Sequence, residues 1–339
     1  MVNKALLVGI NYINTPYALN GCINDTILVK ERLMNDLHFK EENIIVLRDD
    51  KPNQMPTFGN ILQKMSNLIN SSNENDNLYF HFSGHGTYVK DTNNDEKDGK
   101  DEVFVPCNYN QGLISDDLLF SLVSKTKCKT LLVFDCCHSG SICDLPYRYD
   151  CVNNELKLNI ENDRALDKDI TMISGSRDEQ SSLDYFSSEE NRYQGLLTVK
   201  LMNYVKENSY STTFKDLVSN IHKLTDLGVA SQNPNVSSSF KDFLNERVFN
   251  TEEYLQKQEE QKQEEQKQEE QKQEEQQEQL NKLHKELDEL KNKNNELQKV
   301  IENKNNKINE LNQYVQRQNN YIVYLKRYIN HLGRLLRRR

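Results

Sequence analysis

The chain has 339 residues, a net charge of −9 and seven cysteines, all of which lie before residue 152. An odd number of cysteines cannot form a fully paired disulfide framework, so we expect a reducing compartment, the cytoplasm or the nucleus. No stretch approaches the roughly 18 apolar residues that a membrane-spanning helix needs. The acidic balance also argues against a basic nucleic-acid-binding face on the N-terminal part.

Up to residue 249, short apolar runs alternate with segments of helical periodicity. This pattern predicts an α/β domain with a mostly parallel sheet flanked by helices. The predicted strands are Lys4–Gly9, Ile44–Leu47, Leu78–Ser83, Thr130–Asp135 and Ile170–Ser174. The predicted helices are Asp25–Leu37, Thr57–Asn70, Asp116–Val123, Leu196–Lys206 and Phe214–Leu224.

Residues 250–279 form a low-complexity segment rich in Gln, Glu and Lys, in which QKQEE repeats four times from Gln256 to Glu275. Its five-residue period matches neither the heptad average of about 3.5 nor the helical value of about 3.6 residues per turn. The repeat also has no apolar residue to bury. We therefore predict a solvated spacer, either helical or extended.

A heptad register holds from Leu280 to the end of the chain, and 14 of its 17 a and d positions are apolar. Mostly β-branched residues at a, Leu at d and Asn294 at a central a position favour a parallel two-stranded coiled coil over residues 280–339. A helix that packs back onto the preceding domain is the alternative. No acidic residue follows Glu310, whereas seven Arg and Lys residues do. This basic end suits contact with nucleic acid or an anionic membrane, although a solvated helix end explains it equally.

Two predicted strands end in residues that bear chemistry. The run NLYFHFSGHG ends in the glycine-flanked His85, and TLLVFDCCHSG contains Cys136 and Cys137. Because side chains beyond the carboxyl ends of parallel strands share one crevice, we expect His85 and Cys137 to meet there. A thiol beside a histidine is the nucleophile of cysteine hydrolases. The backbone amides at Gly86 and Cys137 are the candidate oxyanion donors.

The spacing of these two residues supports the same interpretation. Cys137 follows His85 by 52 positions, close to the interval of about 50 in caspase-type peptidases. A zinc site would require cysteine pairs about two to four positions apart, and the chain has no CxxC motif. Redox sensing through Cys136 and Cys137 is a weaker alternative, because vicinal disulfides are strained.

The sequence resembles the metacaspases, which have a caspase-like fold with p20-like and p10-like parts. The matching blocks are KALLVGINY, LNGCINDT, FHFSGHGT, DTNNDEKDGKDEVFVPCNY, ISDDLL, VFDCCHSGS followed by DLPY, MISGSRDEQSS and QNPNVSSS. They cover about residues 4 to 240 in the family's order. The arrangement is closest to type I, with a connection at about 145–168 but without a Pro/Gln-rich segment before the first strand. The resemblance implies a peptidase domain over 1–249, p20-like to about 145 and p10-like from about 169.

The resemblance also implies roles for individual residues. Cys137 is the nucleophile and His85 is the general base and acid. The positions that match the family's S1 pocket are Cys22, Asp25, Ser83 and Asp135. Two carboxylates in such a pocket would select Arg or Lys at P1 and repel aspartate.

Calcium is a further implication. Acidic side chains cluster in residues 91–102, at the start of a predicted helix and again after the cysteines, and hard oxygen ligands in that number suit Ca²⁺. By resemblance the metal ligands are Asp101, Asp116, Asp117 and Asp144, with Asp98 as an alternative to Asp101. Capping by Ser115 with two first-turn acids explains Asp116 and Asp117 without a metal.

The predicted function is a calcium-dependent cysteine endopeptidase that cleaves proteins after Arg or Lys. Candidate self-cleavage sites in the connection are Arg148, Lys157, Arg164 and Lys168. A different function remains an alternative, namely a coiled-coil scaffold or sensor whose caspase-like domain only binds. The expected partners are protein substrates and a second copy of the chain.

Overall fold

The computed structural model describes residues 1–91, 99–137, 139, 142–152, 155–162, 164, 166–175, 184–187, 191–226, 234–250 and 252–336. These residues form two compact units, Met1–Leu255 and Gln256–Arg339. No helix in the described part of the chain combines the length and hydropathy that crossing a bilayer requires.

All ten predicted elements of the first unit are present, with their ends shifted by at most a few residues. The strands are β1 Asn3–Gly9, β2 Ile44–Arg48, β3 Asn77–Ser83, β4 Gly86–Lys90, β5 Lys100–Phe104, β6 Ile114–Ser115, β7 Lys129–Asp135, β8 Tyr147–Val152, β9 Glu155–Ile160, β10 Ile170–Ser174, β11 Asp184–Ser187, β12 Arg192–Gly195 and β13 Asn235–Ser238. The helices are α1 Cys22–Asn35, α2 Phe58–Asn70, α3 Asp116–Val123, α4 Leu196–Glu207, α5 Phe214–Thr225 and α6 Glu252–Leu336.

An eight-stranded sheet forms the centre of the first unit, in the order β2-β1-β3-β7-β10-β13-β8-β9. The pairings from β2 to β10 are parallel. Those that join β10, β13, β8 and β9 are antiparallel. The prediction of a mostly parallel sheet flanked by helices is confirmed. The segment 145–168, predicted only as a connection, contains the hairpin β8–β9 and completes one edge of the sheet.

Side chains on alternate faces of the strands build two cores. Along β1, Ala5 and Leu7 pack in the core that includes α1, α4 and α5, whereas Leu6 and Val8 pack in the core that includes α2 and α3. All four are fully buried. Coverage of both faces explains why these strands are continuous apolar runs. Each buried aliphatic side chain of this size contributes about 1.5–3 kcal/mol.

The second unit is the helix α6, which includes both the predicted spacer and the heptad segment. Of the two forms predicted for the spacer, the structure has the helical one. The heptad leucines are exposed on the single chain; Leu283 and Leu290, for example, are 61% and 63% exposed. Pairing of this helix with a second copy stays a prediction.

Candidate active site

The carboxyl ends of β1, β3 and β7 meet at one edge of the sheet. Gly9 is paired with Ser83, and Ser83 is paired with Asp135, across neighbouring strands. His85 comes two residues after β3 ends, and Cys137 comes two residues after β7 ends. Parallel pairing therefore brings the imidazole and the thiol to the same edge.

Gly86 brings the two loops into direct contact. A Cβ atom at Gly86 would lie 1.9 Å from the carbonyl oxygen of Cys137 and 3.1 Å from Sγ of Cys136. Only glycine leaves room for so close an approach of two backbones. His85, which precedes Gly86, is therefore held beside the residue that carries the candidate nucleophile.

The backbone carbonyl of Tyr17 orients the imidazole. Nε2 of His85 lies 2.8 Å from that carbonyl oxygen. Because a carbonyl only accepts hydrogen bonds, Nε2 carries the proton and Nδ1 keeps the basic lone pair. A base that is oriented by a third group is the arrangement of catalytic triads. Tyr17 was not foreseen from the sequence, because a backbone acceptor leaves no signature in the side chains.

Tyr12 fixes His85 from another direction. Its hydroxyl donates to the carbonyl of Val105 at 2.6 Å and accepts the backbone N–H of His85 at 2.8 Å. The two rings lie 4.6 Å apart between centroids. Burial raises the pKa of Tyr12 well above its usual value, so the phenol remains neutral. Tyr12 thus ties His85 to the loop after β5, a positioning role that the sequence analysis missed.

The two adjacent thiols differ in exposure. Cys136 is fully buried, and this burial raises the pKa of its thiol well above the usual value. Cys137 is only partly buried. Within the described part of the chain no cysteine forms a disulfide. Cys137 is therefore the thiol that a substrate can reach, whereas Cys136 belongs to the core.

The residues predicted to line an S1 pocket lie together beside this pair. Cys22 and Asp25 belong to the first turn of α1, and Ser83 and Asp135 end their strands. Oγ of Ser83 donates to Oδ2 of Asp25 at 2.6 Å. All four residues are buried, with Asp25 at 0% and Asp135 at 3% exposure. Two carboxylates buried this deeply require hydrogen-bond donors.

The N-terminus of α4 supplies those donors. The backbone N–H of Gly195 donates to Oδ1 of Asp25 at 2.8 Å. The N–H and the hydroxyl of Thr198 both donate to Oδ2 of Asp135 at 2.8 Å. A Cβ atom at Gly195 would be 2.2 Å from Oδ2 of Asp135, so this position must be glycine. Helix amides of this kind stabilise negative charge, and no motif in the sequence pointed to them.

His81 joins the same network from below. Its Nε2 lies 3.0 Å from the hydroxyl of Thr198, and because that hydroxyl donates to Asp135, His81 must be the donor. Complete burial lowers the pKa of His81 to about 3. His81 is therefore a neutral structural side chain and not a second base.

A separate cluster of carboxylates lies at the start of α3. One oxygen each of Asp116, Asp117 and Asp144 lie within 4.8 Å of one another. The backbone N–H groups of Glu102 and Asp117 donate to the two oxygens of Asp116 at 2.8 and 2.7 Å. Oγ of Ser115 also caps α3. Helix capping and a carboxylate cluster thus coexist here. We call Asp116, Asp117 and Asp144 the acidic cluster.

The acidic cluster offers the hard oxygen ligands that calcium prefers. Ca²⁺ takes about six to eight oxygens, and carboxylates bind it in mono- or bidentate fashion with water completing the shell. Asp101 immediately precedes Glu102 on β5, close to the cluster, but is not part of the group within 4.8 Å. Asp98 lies outside the described residues. The donors present fit a calcium ion held by Asp116, Asp117 and Asp144.

The fold and the pairing of His85 with Cys137 place the chain in the caspase-like class of α/β proteins. Residues 3–146 match the family described as "Metacaspase, peptidase C14 domain". Metacaspase-1B of Aspergillus terreus is 31% identical over 286 residues, which cover 70% of this chain and 75% of that protein. The chain belongs to the metacaspase family of cysteine peptidases.

Two further comparisons delimit what the family membership covers. Metacaspase-1B of Neurospora crassa is 42% identical over 153 residues, which span 43% of this chain and 36% of that protein. A crystal structure of a Geobacter sulfurreducens protein is similar at a TM-score of 0.54 and 24% identity, covering 74% of this chain and 99% of that chain. The latter supports the fold alone.

Proposed function

We propose that the chain is a calcium-dependent cysteine endopeptidase that cleaves proteins after Arg or Lys. The observation that carries the proposal is the close contact between Gly86 and Cys137, which sets the oriented imidazole of His85 beside the thiol. Nδ1 of His85 accepts the thiol proton, and the thiolate attacks the scissile carbonyl carbon. The developing oxyanion is stabilised by the backbone amides of Gly86 and Cys137.

The acyl-enzyme then forms and breaks down by proton transfers through His85. The imidazolium gives its proton to the leaving amine as the peptide C–N bond breaks. Water next loses a proton to the imidazole and attacks the thioester, which releases the new carboxyl group and restores Cys137. Tyr12 and Tyr17 act by holding the ring in place during both half-reactions.

Preference for Arg or Lys follows from the charge of the pocket. Asp25 and Asp135 share the site with Cys22 and Ser83, and the donors from α4 occupy only some of the carboxylate lone pairs. A carboxylate offers about four lone-pair sites, so the remaining ones can receive a guanidinium or an ammonium group. An aspartate side chain at P1 would be repelled by both anions.

Calcium has a structural role in this proposal. The acidic cluster includes Asp144, which follows Cys137 by seven residues, so a bound ion ties the loop after the nucleophile to the start of α3. We propose Asp116, Asp117 and Asp144 as ligands, with Asp101 as the fourth. When bound, the ion neutralises clustered charge that would otherwise force the carboxylates apart.

The coiled-coil segment of α6 is proposed to join two copies in parallel. Paired Asn294 side chains satisfy each other only in register, and Glu286 of one helix would face Lys291 of its partner. The basic end of α6 is a predicted contact for nucleic acid or an anionic membrane, and the cytoplasm or the nucleus is the expected location.

Cleavage of fluorogenic peptides tests the proposal directly. Peptides with Arg, Lys, Asp or Ala at P1 are incubated with purified protein over a calcium titration, beside Cys137→Ala. We expect hydrolysis only after Arg and Lys, only with calcium and only with Cys137 present. Activity in excess chelator would refute the calcium requirement. The scaffold alternative would be favoured if Cys137→Ala kept every cellular effect of the wild-type chain.

A further inference from the structure

A guanidinium group already lies at the acidic cluster. Nη1 of Arg164 is 2.7 Å from Oδ2 of Asp144 and 3.7 Å from Oδ1 of Asp117. The same group lies 5.3 Å from the centroid of the Phe120 ring on α3, within cation–π range. Asp144 is 6% exposed, so this ion pair is better shielded from water than an ordinary surface pair.

The backbone around Arg164 is attached to the same place. Nδ2 of Asn162 donates to the carbonyl of Asp144 at 3.0 Å, and the N–H of Arg164 donates to Oδ1 of Asn162 at 3.0 Å. The N–H of Glu161 donates to the carbonyl of Pro146 at 2.9 Å. Residues 161–164 are therefore fastened along the chain segment that follows the nucleophile, and Arg164 is the charged anchor.

Arg164 and a divalent cation would compete for the same oxygens. Three clustered carboxylates repel one another unless a positive charge lies among them. Arg164 supplies a single delocalised charge from the side, whereas an inner-sphere divalent ion needs the lone pairs of Asp117 and Asp144 that face the guanidinium. Binding of the ion therefore requires the guanidinium to leave.

Among the four candidate processing sites, Arg164 is the one whose backbone is suited to enter a peptidase cleft. Arg148 lies in β8, which is paired on both sides, and Lys157 lies in β9. The carbonyl of Lys168 accepts a hydrogen bond from Ser239, just before β10 begins. Arg164 lies between β9 and β10, outside any strand. A protease binds its substrate as an extended chain, which strand pairing prevents.

We propose that Arg164 is the processing site of this chain, and that the acidic cluster withholds it until a divalent cation takes the place of its guanidinium. This inference rests on the proposed function, since the released side chain is a P1 residue for Asp25 and Asp135. The bond that breaks is the peptide C–N bond between Arg164 and Ala165. Water adds its hydroxyl to the carbonyl carbon of Arg164, and the amine of Ala165 leaves with a proton from His85.

Competition is tested first, with protein that cannot cut itself. Calcium binding to Cys137→Ala is measured by titration calorimetry and compared with Cys137→Ala carrying Arg164→Gln. Loss of the competing cation should tighten calcium binding by about fivefold or more. The matched control is Arg148→Gln, which removes the same charge from a residue paired with Asp150 and Glu161 and should leave the affinity unchanged.

Equal affinities in the two Arg164 forms, or no calcium binding by either, would overturn the exchange. Binding by Arg164→Gln alone would support it in a stronger form. Release of the segment is measured by trypsin, added to Cys137→Ala with calcium or with magnesium. Cutting after Arg164 should rise with calcium relative to cutting within α6. An unchanged or slower rate at Arg164 would contradict release.

Processing itself is read from intact masses of the wild-type chain after addition of calcium. We expect an N-terminal fragment that ends at Arg164, and its absence in Arg164→Gln. If the enzyme hydrolyses Arg peptides but leaves its own chain intact or cuts it elsewhere, the inference fails and the proposed function stands. If peptides are not hydrolysed while calcium still exposes Arg164 to trypsin, the proposed function fails and the cation exchange stands.

Discussion

The carbonyl oxygen of Cys137 lies 1.9 Å from the point where residue 86 would carry a Cβ atom. Gly86 therefore admits no side chain without moving the loop that carries the nucleophile away from His85. Displacements of about 1 Å at a reacting centre cost on the order of a hundredfold in rate.

Gly86→Ala should accordingly lower kcat by about a hundredfold or more. The matched control is Gly59→Ala in α2, where a Cβ atom meets nothing within 4 Å. That change should leave activity intact and raise stability by roughly 0.5–1 kcal/mol, because alanine favours helix over glycine. Steady-state kinetics and urea denaturation check both. Full activity in Gly86→Ala would show that the contact does not set the geometry.

Tyr12→Phe removes one hydroxyl that serves two backbone groups. It leaves the carbonyl of Val105 and the N–H of His85 without their partner, at a cost of about 1–3 kcal/mol in the free energy of unfolding. The less constrained imidazole should lower kcat with little change in KM. Tyr88→Phe, at an exposed tyrosine, is the control and should alter neither quantity. An unchanged kcat in Tyr12→Phe would remove the positioning role.

Asp135→Asn replaces a pocket anion by a neutral group of the same shape. The loss of a buried charge pair with a P1 guanidinium should cost about 2–5 kcal/mol in kcat/KM for Arg peptides. Hydrolysis of peptides with citrulline, the uncharged analogue of Arg, should change much less. The ratio of the two rates therefore measures the contribution of charge. Discrimination as strong as in the wild type would exclude Asp135 from the P1 site.

Burial of His81 makes the stability of the first unit depend on pH. The folded pKa is about 3, whereas the unfolded chain titrates near the usual value of about 6.5. Between these values the unfolded state binds a proton that the folded state does not, so stability falls as the pH is lowered, by up to about 1.4 kcal/mol per pH unit. Above about pH 6.5 His81 contributes no pH dependence.

His81→Gln keeps a donor towards Thr198 but cannot titrate. Its free energy of unfolding between pH 6 and pH 4 should therefore decline less steeply than that of the parent chain. Urea denaturation at pH 6, 5 and 4, in the Cys137→Ala background, gives the two slopes. Parallel slopes would mean that other groups cause the loss of stability in acid.

Charges in the heptad seam should separate the two copies. Ile308→Asp with Leu311→Asp places an anion at an a and a d position, where each would face its own copy in a parallel pair. Light scattering should then report the mass of one chain. Asn306→Asp with Asn309→Asp adds the same charges outside the seam and should leave the dimer intact. A dimeric mass for the seam variant would disprove pairing through this segment.

The parallel half of the sheet was predictable because its strands are buried on both faces and so form continuous apolar runs. The hairpin β8–β9 was not predicted, although Tyr149, Cys151 and Leu156 pack against the core. Its apolar residues alternate with charged ones, and the segment lies where the family resemblance implied only a connection. A period of two over residues 147–160 was the signal that could have located it.

The site was predictable only where chemistry resides in side chains at strand ends. Glycine-flanked His85 and the adjacent cysteines stand out in the sequence. Tyr17 acts through its backbone carbonyl, and Gly195 acts through its backbone amide, so neither role depends on a recognisable side chain. Such groups become visible only when the chain has been folded.

The donors that hold Asp25 and Asp135 belong to Gly195 and Thr198, far downstream of Cys137 in the chain. A nascent chain that has left the ribosome only to residue 160 would already carry the thiol and the imidazole. Its two pocket anions would still lack the amides that keep them in place. The order of synthesis thus delays proteolytic competence until the turn between β12 and α4 has emerged, which protects the growing polypeptide from its own cut.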